Sequence, residues 1–374
     1  MDPGPRSPGV STTRSLHDAV VVGAGQAGLS ASFHLRRLGV EHVVLDAYAA
    51  PGGAWQHRAH SLTMADVHGV AALPGLPLPD GDPHAPAREV VPAYFAEHEA
   101  RFALPVERPV DVTRVDPEPD GTLLVRARDG RAWPTRTLVS ATGTWRRPFV
   151  PHVAGIETFA GRTLHSSAYD GPADLAGRTV LVVGGGASAV QLLGEVAGTS
   201  RTLWATRRPP LWRDGEVEPF DGRAAVALVE ERVRRGLPPR SVVSVTGLHL
   251  RPQEQRAVAL GAYARLPMPQ RFVPDGAVWA DGSHRAFDVV VWATGFRPDT
   301  GHLAPLQLRA PGGGIVLDGT TVVADPRVQL VGYGPSASTI GANRAGRAAA
   351  VAVRDRLAAG ADVTSARRGT PAPA

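Results

Sequence analysis

The sequence contains no cysteine and no lysine, and each absence excludes a class of chemistry. Without cysteine the chain can form no disulfide, thiolate metal site, cysteine nucleophile or redox-active dithiol. Without lysine no Schiff base can form on a side chain, and all 40 basic residues are arginine. Long apolar runs are also missing, so no membrane-spanning segment is predicted.

The remaining composition is that of a globular protein with more than one domain. With 374 residues, 43% of them apolar, the chain is long enough for two or three domains. The net charge of +5 is small for this length and the arginines are scattered, so no nucleic-acid partner is predicted. No apolar signal segment opens the chain, so we expect a cytoplasmic location. Residues 1–16 and 363–374 are predicted to be disordered.

One stretch, VVVGAGQAG at residues 20–28, predicts a dinucleotide-binding turn between a buried strand and a helix. Gly23 allows the tight turn, Gly25 lets a pyrophosphate approach the backbone, and Gly28 lets the helix pack closely on the strand. The phosphates would then lie at the N-terminus of the helix. We include Gln26, which lies inside this motif, among the predicted cofactor-binding residues.

The second predicted strand ends at Asp46, which lies 23 positions after Gly23. A carboxylate at this point accepts hydrogen bonds from a ribose 2′-hydroxyl and repels a 2′-phosphate. This first motif therefore suits FAD or NAD. Glycines follow at residues 51–55, PGGAW, where Gly53 permits close approach to a flat cofactor and Trp55 could form a wall. The alternative for this segment is a surface turn with one anchoring aromatic residue.

A second copy of the motif, VLVVGGGASA, occupies residues 180–189. Its predicted cofactor-binding residues are Gly184, Gly186, Ser188 and Ala189, with alanine in the third glycine position, which is an accepted variant. The strand after its helix ends in Arg207 and Arg208, and Arg207 again lies 23 positions after the first glycine. Guanidinium groups bind phosphate bidentately, so this copy suits NADPH. The alternative is that both arginines merely face solvent.

The sequence Ala-Thr-Gly also occurs twice at the end of a predicted buried strand. Small residues at such a position let the backbone pass near a cofactor or cross between domains. The predicted cofactor-binding residues here are Thr142, Gly143, Thr294 and Gly295. The histidines at 60, 68 and 84 do not have the spacing of a compact metal motif, so no metal site is predicted.

These repeats predict an α/β fold with two Rossmann-like domains, each with three layers in a ββα arrangement. The FAD-binding domain comprises residues 17–145 and 287–362, and the NADPH-binding domain, residues 146–286, is inserted into it. Within the first segment of the FAD-binding domain, residues 110–128 alternate with a period of two, and Asp-Gly pairs at 120 and 129 predict hairpin turns.

Several motifs resemble the class B flavoprotein monooxygenases. Residues 159–169, FAGRTLHSSAY, match the F-x-G-x-x-x-H-x-x-x-Y fingerprint of flavin-containing monooxygenases, and residues 52–55 resemble their G-G-x-W motif. Baeyer–Villiger enzymes usually have tryptophan where Tyr169 stands, so the resemblance favours oxidation of nitrogen or sulfur. Residues 141–151, ATGTWRRPFVP, and 206–210 are similar to short bacterial flavin monooxygenases of arsenic-resistance operons.

The resemblance implies FAD and NADPH as cofactors and O₂ and a small molecule as substrates. A C4a-(hydro)peroxyflavin would transfer one oxygen atom to a soft nitrogen, sulfur or similar centre, so no protein nucleophile is required. Family members have an asparagine in the loop after G-G-x-W, but the one asparagine here is Asn343. Ala65, Asp66 or His68 occupies that neighbourhood, so the candidates near the flavin are Trp55, Asp66 and His68.

Other functions stay open at this point. One alternative is an NAD(P)H-dependent flavin oxidoreductase or oxidase, and another is a Baeyer–Villiger-type monooxygenase. A third is a nucleotide-dependent binding module without catalytic activity. The substrate and the oligomeric state are not predicted, and a homodimer is one alternative.

Overall fold

The computed structural model describes residues 15–67, 69–212, 222–239, 247–248, 250 and 252–368. The strands are β1 (His17–Val22), β2 (His42–Leu45), β3 (Val106–Glu107), β4 (Val112–Pro117), β5 (Leu123–Ala127), β6 (Ala132–Ser140), β7 (Arg162–His165), β8 (Thr179–Val183), β9 (Arg201–Ala205), β10 (Arg265–Leu266), β11 (Arg271–Val273), β12 (Gly276–Val278), β13 (His284–Ala286), β14 (Val289–Trp292), β15 (Leu317–Asp318), β16 (Thr321–Val322) and β17 (Val328–Leu330). The helices are α1 (Gln26–Arg37), α2 (Ala87–Arg101), α3 (Ala187–Val196), α4 (Gly222–Arg234), α5 (Pro252–Ala259) and α6 (Thr339–Arg368).

The strands form two parallel-centred sheets, each with an antiparallel meander. The first sheet has the order β15-β16-β17-β6-β1-β2-β3, and β4 and β5 form its meander beside β6. The second sheet has the order β10-β9-β8-β14-β7, and β11, β12 and β13 form a separate three-stranded meander. Strands β1, β2 and β6 thus correspond to β8, β9 and β14, and the predicted pair of Rossmann-like domains is confirmed.

Each central sheet is covered on both faces, which explains why its strands are rich in valine and leucine. Side chains alternate along β1, so Val21 packs with α1, α2 and α6 while Val20 and Val22 pack with the meander. In the second domain, α3 and α5 cover one face of the sheet. The aromatic residues Phe272, Trp279 and Phe287 fill the layer on the other face. This is the predicted three-layer arrangement.

The hairpin turns in residues 110–128 and after them are confirmed. Strands β4 and β5 are antiparallel, as are β5 and β6. Gly121 and Gly130 have φ values of +85° and +86° in the two connections, a left-handed conformation that glycine adopts without strain.

Two predicted boundaries are wrong. Strand β14 pairs with β7 and β8, so it belongs to the second domain, although the boundary was predicted at 287. The strands that pair with β14 lie more than 100 residues earlier in the sequence, so its place in the second sheet is known only from the strand pairing. Helix α6 is 30 residues long and ends at Arg368, so residues 363–368 are helical where disorder was predicted. Residues 1–14, most of the other segment predicted to be disordered, lie outside the described residues.

Candidate functional site

The first glycine motif forms a cradle between β1 and α1. Gly23 has a φ of +101°, and a Cβ on it would lie 2.7 Å from the carbonyl oxygen of Ala141. A Cβ on Gly28 would overlap the carbonyl oxygen of Gly23, so this glycine is needed for packing. Among the described residues, and leaving aside the adjoining backbone, no atom lies within 4 Å of the position of a Cβ on Gly25. The open space at Gly25 is where a phosphate can approach the N-terminus of α1.

This cradle opens into a cleft of about 510 Å³, a volume typical of cofactor pockets. Eight of the predicted site residues line it: Gly23, Gly25, Gln26, Asp46, Gly53, Trp55, Thr142 and Gly143. Residues that the sequence did not single out also line it, namely Arg58, Trp145, Asp299, His302 and Thr339.

Asp46 stands at the end of β2 with 4% of its surface exposed. The Nε of Arg108 donates to its Oδ2 at 3.0 Å, and the two terminal nitrogens of Arg108 each donate to Glu99 at 2.6 Å. Burial raises the pKa of Asp46 above its ordinary value of 3.8, and Arg108 opposes this shift without cancelling it. The arginine therefore holds the carboxylate at the point where it would meet a ribose.

Gln26 and Asn343 connect the cradle to α6. The amide nitrogen of Gln26 donates to Oδ1 of Asn343 at 2.9 Å and to the carbonyl oxygen of Ala71, also at 2.9 Å. Asn343 in turn donates to the carbonyl oxygen of Ala72 at 2.7 Å. Asn343 therefore has a structural role here, while Thr339 and Ala342 bring the positive end of the α6 dipole to the cleft.

The loop after Trp55 carries a buried cation. Arg58 lies 5.3 Å from the ring centroid of Trp55 and 4.5 Å from that of Trp145. Its Nε is buried and has no hydrogen-bond partner among the described residues. Burial lowers the pKa of Arg58 from its ordinary value, and no nearby acid opposes the shift.

A buried histidine lies on another wall of the cleft. The Nε2 of His302 is 3.1 Å from the hydroxyl oxygen of Ser140. Burial, together with the charge of Arg146, lowers the pKa of His302 to about 4, so the ring is neutral at pH 7.

The second glycine motif repeats the first in three dimensions. Gly184 has a φ of +145°, and a Cβ on it would overlap the carbonyl oxygen of Ala293, as Gly23 faces Ala141. A Cβ on Gly186 would meet no atom within 4 Å. Ala189 is buried behind the turn, and Ser188 is exposed at the start of α3. The Ala-Thr-Gly strands and the glycine turns therefore pack as two matching pairs.

Arg207 and Arg208 follow β9 and are both exposed beside this second cradle. Arg265 on β10 supports them, because its Nε donates to the hydroxyl of Thr206 at 2.7 Å. That hydroxyl donates to the carbonyl oxygen of Arg208, also at 2.7 Å. Both side chains are exposed, and no ion pair of Arg207 or Arg208 is present among the described residues.

The two Ala-Thr-Gly strands continue into linkers that cross between the domains. Thr142 donates to the carbonyl oxygen of Asp299 at 2.6 Å. In the other linker, the hydroxyl of Thr294 donates to the carbonyl oxygen of Phe149, and Nε2 of His165 lies 3.0 Å from the carbonyl oxygen of Gly295. Thr294 and Gly295 were predicted to bind cofactor, but they are not among the residues that line the cleft.

Aromatic rings close the crossing point of the linkers. Trp145 stacks on Phe296 with ring centroids 5.0 Å apart and an interplanar angle of 23°. Phe296 also contacts His165, with centroids 4.9 Å apart. The histidine of the fingerprint therefore orders the connection between domains.

The loop that was expected to replace the family asparagine contacts the second domain. Asp66 accepts a hydrogen bond from the hydroxyl of Thr63 at 2.6 Å, and its carbonyl oxygen accepts one from Gln191 on α3 at 3.2 Å. Asp66 is not among the residues that line the cleft. His68 lies outside the described residues.

Ser61 and Tyr169 meet on one carboxylate between the two domains. The Ser61 hydroxyl donates to Oε2 of Glu195 at 2.7 Å, and the Tyr169 hydroxyl donates to the same atom at 3.0 Å. Burial and the charge of Glu195 raise the pKa of Tyr169. The bond from Ser61 crosses between the domains, while Tyr169, which lies in the second domain with Glu195, helps to hold the carboxylate that receives it.

The described residues contain neither a candidate metal site nor a candidate membrane-spanning helix. No group of three or more histidine, aspartate or glutamate side chains among them could hold a metal ion. None of their helices is both long and apolar enough to cross a bilayer.

Comparisons with known proteins agree with this geometry. A family model described as pyridine nucleotide-disulphide oxidoreductase matches residues 20–220. The "Uncharacterized oxidoreductase CzcO" of Bacillus velezensis is 31% identical over 198 residues, which are 53% of this chain and 56% of that protein. The indole-3-pyruvate monooxygenase YUCCA1 of Oryza sativa is 34% identical over 181 residues, 46% of this chain and 43% of that protein. The chain spans about half the length of these curated relatives.

One solved structure resembles the chain over nearly its whole length. It is a flavin-containing monooxygenase from Stenotrophomonas maltophilia, with 41% identity and a TM-score of 0.79, and the match covers 92% of this chain and 100% of that one. A complex of OTEMO with FAD and NADP is 17% identical with a TM-score of 0.66, a likeness that concerns the fold alone.

Proposed function

Because the chain belongs to the pyridine nucleotide-disulphide oxidoreductase family and within it to the flavin-containing monooxygenases, we propose that it is an FAD-dependent, NADPH-consuming monooxygenase. Enzymes of this flavin monooxygenase family depend on FAD and NADPH. The substrates are O₂ and a small molecule, in which a soft nitrogen or sulfur centre receives one oxygen atom. The cytoplasm stays our expected location from the sequence.

One observation carries this proposal: two matching cradles have opposite charges at their strand ends. Asp46 follows β2 in the first, and Arg207 and Arg208 follow β9 in the second. A carboxylate suits a ribose diol and guanidinium groups suit a 2′-phosphate. The first cradle therefore fits FAD and the second fits NADPH.

The residues of the first cleft fit a flavin dinucleotide. The open space at Gly25 would take the pyrophosphate, and Asp46 would hold the ribose. Gly53 packs close to Gly25, since a Cβ on Gly53 would lie 2.9 Å from the Cα of Gly25. The absence of a side chain there lets the loop that carries Trp55 pack against the first cradle, and Trp55 would cover the flavin ring.

When bound, FAD and NADPH supply the activation of O₂ and the reducing equivalents. The protein residues bind, orient and exclude water. Trp55, Trp145 and Phe296 form an aromatic wall that would keep water from the reacting atoms. The N-terminus of α6 at the cleft would stabilise negative charge on a reduced flavin. His302 lies on another wall of the cleft and, being neutral, would add no charge there.

The decisive experiment is product analysis on the purified protein reconstituted with FAD. We expect NADPH consumption that forms the sulfoxide of thioanisole or the oxide of trimethylamine, with little peroxide. Lactone formation from cyclohexanone would instead identify a Baeyer–Villiger enzyme. Stoichiometric peroxide with no oxygenated product from any of the three compounds would refute the monooxygenase and favour an oxidase or flavin oxidoreductase. Protein that takes up no FAD would favour a binding module.

A further inference from the structure

Among the described residues, the guanidinium group of Arg58 has no counter-ion. It lines the cleft, its Nε is buried and unpaired, and no described carboxylate forms an ion pair with it. An unpaired buried charge is costly. Contacts with the faces of Trp55 and Trp145 offset part of this cost. A ligand that completes the hydrogen bonds of Arg58 would therefore bind with a substantial gain.

The chain presents this cation rigidly. Arg58 directly follows the 3₁₀ turn Gly53–His57, and its backbone N–H donates to the carbonyl oxygen of Trp55 at 3.2 Å. The two indole groups contact the guanidinium group through their ring faces. A carboxylate binds a guanidinium group in its plane, through an N–H edge, and its two oxygens can accept from both terminal nitrogens. The terminal nitrogens of Arg58 are not among the buried unpaired atoms, so they are the donors that a ligand in the cleft would meet.

The negative groups of the two cofactors have other partners. The cradle at Gly25 would hold the FAD phosphates, and the N-terminus of α6 would face the negative pole of the flavin. Arg207 and Arg208 would hold the 2′-phosphate of NADPH. Arg58 lines the first cleft and contacts Trp145, which stacks on Phe296 where the linkers cross. We therefore expect the anion that binds Arg58 to be a group of the substrate.

We propose that the substrate of this enzyme is a small carboxylate, bound through the terminal N–H groups of Arg58, with its apolar part against Trp55 and Trp145. This inference rests on the proposed monooxygenase function. It deepens that function by naming the charged group that the oxidised molecule carries besides its nitrogen or sulfur centre.

The test compares two probes with the same sulfur centre, 4-(methylthio)benzoate and the uncharged 4-(methylthio)benzamide. In the wild-type holoenzyme, kcat/KM for sulfoxidation should favour the acid. In Arg58→Gln this preference should fall roughly 10- to 100-fold, since a bidentate charged pair is lost. Arg58→Lys keeps the charge but lacks the planar fork, so it should retain only part of the preference. Arg101→Gln, an exposed change on α2, is the control and should match the wild type.

A second readout needs no turnover. Titration of the flavin visible spectrum with benzoate and with benzamide gives the affinity of each, and benzoate should lose affinity selectively in Arg58→Gln. Equal losses for acid and amide, or a loss of FAD content or NADPH affinity, would show that Arg58 serves a cofactor and would overturn the proposal. If benzoate binds but neither sulfide is oxygenated, the anion site stands and the monooxygenase function fails.

Discussion

Arg108 donates to Oδ2 of Asp46 across 62 positions of the sequence, and the carboxylate that ends β2 is held in place by this contact. We expect Asp46→Asn to weaken FAD binding by about 1.5–3 kcal/mol, because a charged acceptor for the ribose is replaced by a neutral one. Fluorescence titration of the apoprotein with FAD measures the effect. Asp318→Asn changes an exposed acid and is the control; an equal loss in both variants would contradict the ribose role.

The raised pKa of Asp46 also predicts how FAD binding depends on pH. The ionised form accepts the ribose hydrogen bonds, and burial makes this carboxyl take up a proton at a higher pH than an exposed aspartate does. FAD affinity should therefore fall as the pH is lowered, starting above the ordinary aspartate range. Asp46→Asn should remove this part of the pH dependence.

Substitution by alanine should affect the stability of the apoprotein differently at Gly25 and at Gly28. A methyl group on Gly25 meets no protein atom, so Gly25→Ala should leave the apoprotein stable and block the approach of the phosphates. Gly28→Ala should lower stability as well, since its methyl group overlaps the carbonyl oxygen of Gly23. Thermal unfolding and FAD content separate the two. A Gly25→Ala protein that keeps full FAD affinity would show that the phosphates lie elsewhere.

The double substitution Arg207→Ala with Arg208→Ala tests the second cradle. KM for NADPH should rise far more than KM for NADH, since about 1.5–3 kcal/mol is at stake for each charged hydrogen bond. Arg201→Ala, at the other end of β9, removes an exposed arginine as the control. Equal changes for both nucleotides would contradict a phosphate role.

The lowered pKa of His302 predicts that the free energy of unfolding decreases in acid. Its pKa is about 4 in the folded protein and 6.5 ordinarily, so between these values the unfolded chain binds a proton that the native state does not. The contribution of His302 is fully present above pH 6.5 and is lost as the pH falls toward 4, by up to about 3 kcal/mol. Urea unfolding at pH 7.5 and 5 should show a smaller difference for His302→Gln than for the wild type. An unchanged difference would show that this ring is not the source.

Tyr169→Phe removes a bond within the second domain that holds the carboxylate of Glu195. Ser61 of the first domain donates to the same oxygen, Oε2, so the variant should weaken the contact between the domains by leaving Glu195 less well positioned. We expect more peroxide for each NADPH oxidised, with a loss of stability of about 1 kcal/mol. A matched Tyr94→Phe variant loses a hydroxyl bond within the first domain, to the carbonyl oxygen of Leu76, and should lose stability without added peroxide.

The sequence predicted those parts of the site that depend on neighbours along the chain. Each glycine turn follows its own strand, and each charged residue ends the next strand, so spacing alone located Asp46 and Arg207. The residues that were missed depend on distant contacts. Nothing near Arg108 in the sequence indicates that it reaches Asp46, and nothing near His302 indicates that it faces Ser140. Arg58 gave one signal, its position three residues after Trp55.

By itself, the sequence determined that two dinucleotide-binding cradles of opposite charge preference lie in one chain, because strand, turn and helix form from adjacent residues. Only the tertiary structure decided that β14 joins the second sheet and that loop residues 61 and 66 face α3. It also decided that Arg58 lies against two indole rings with no counter-ion among the described residues. These outcomes depend on which distant segments pack together, and burial, pairing and pKa are set by that packing.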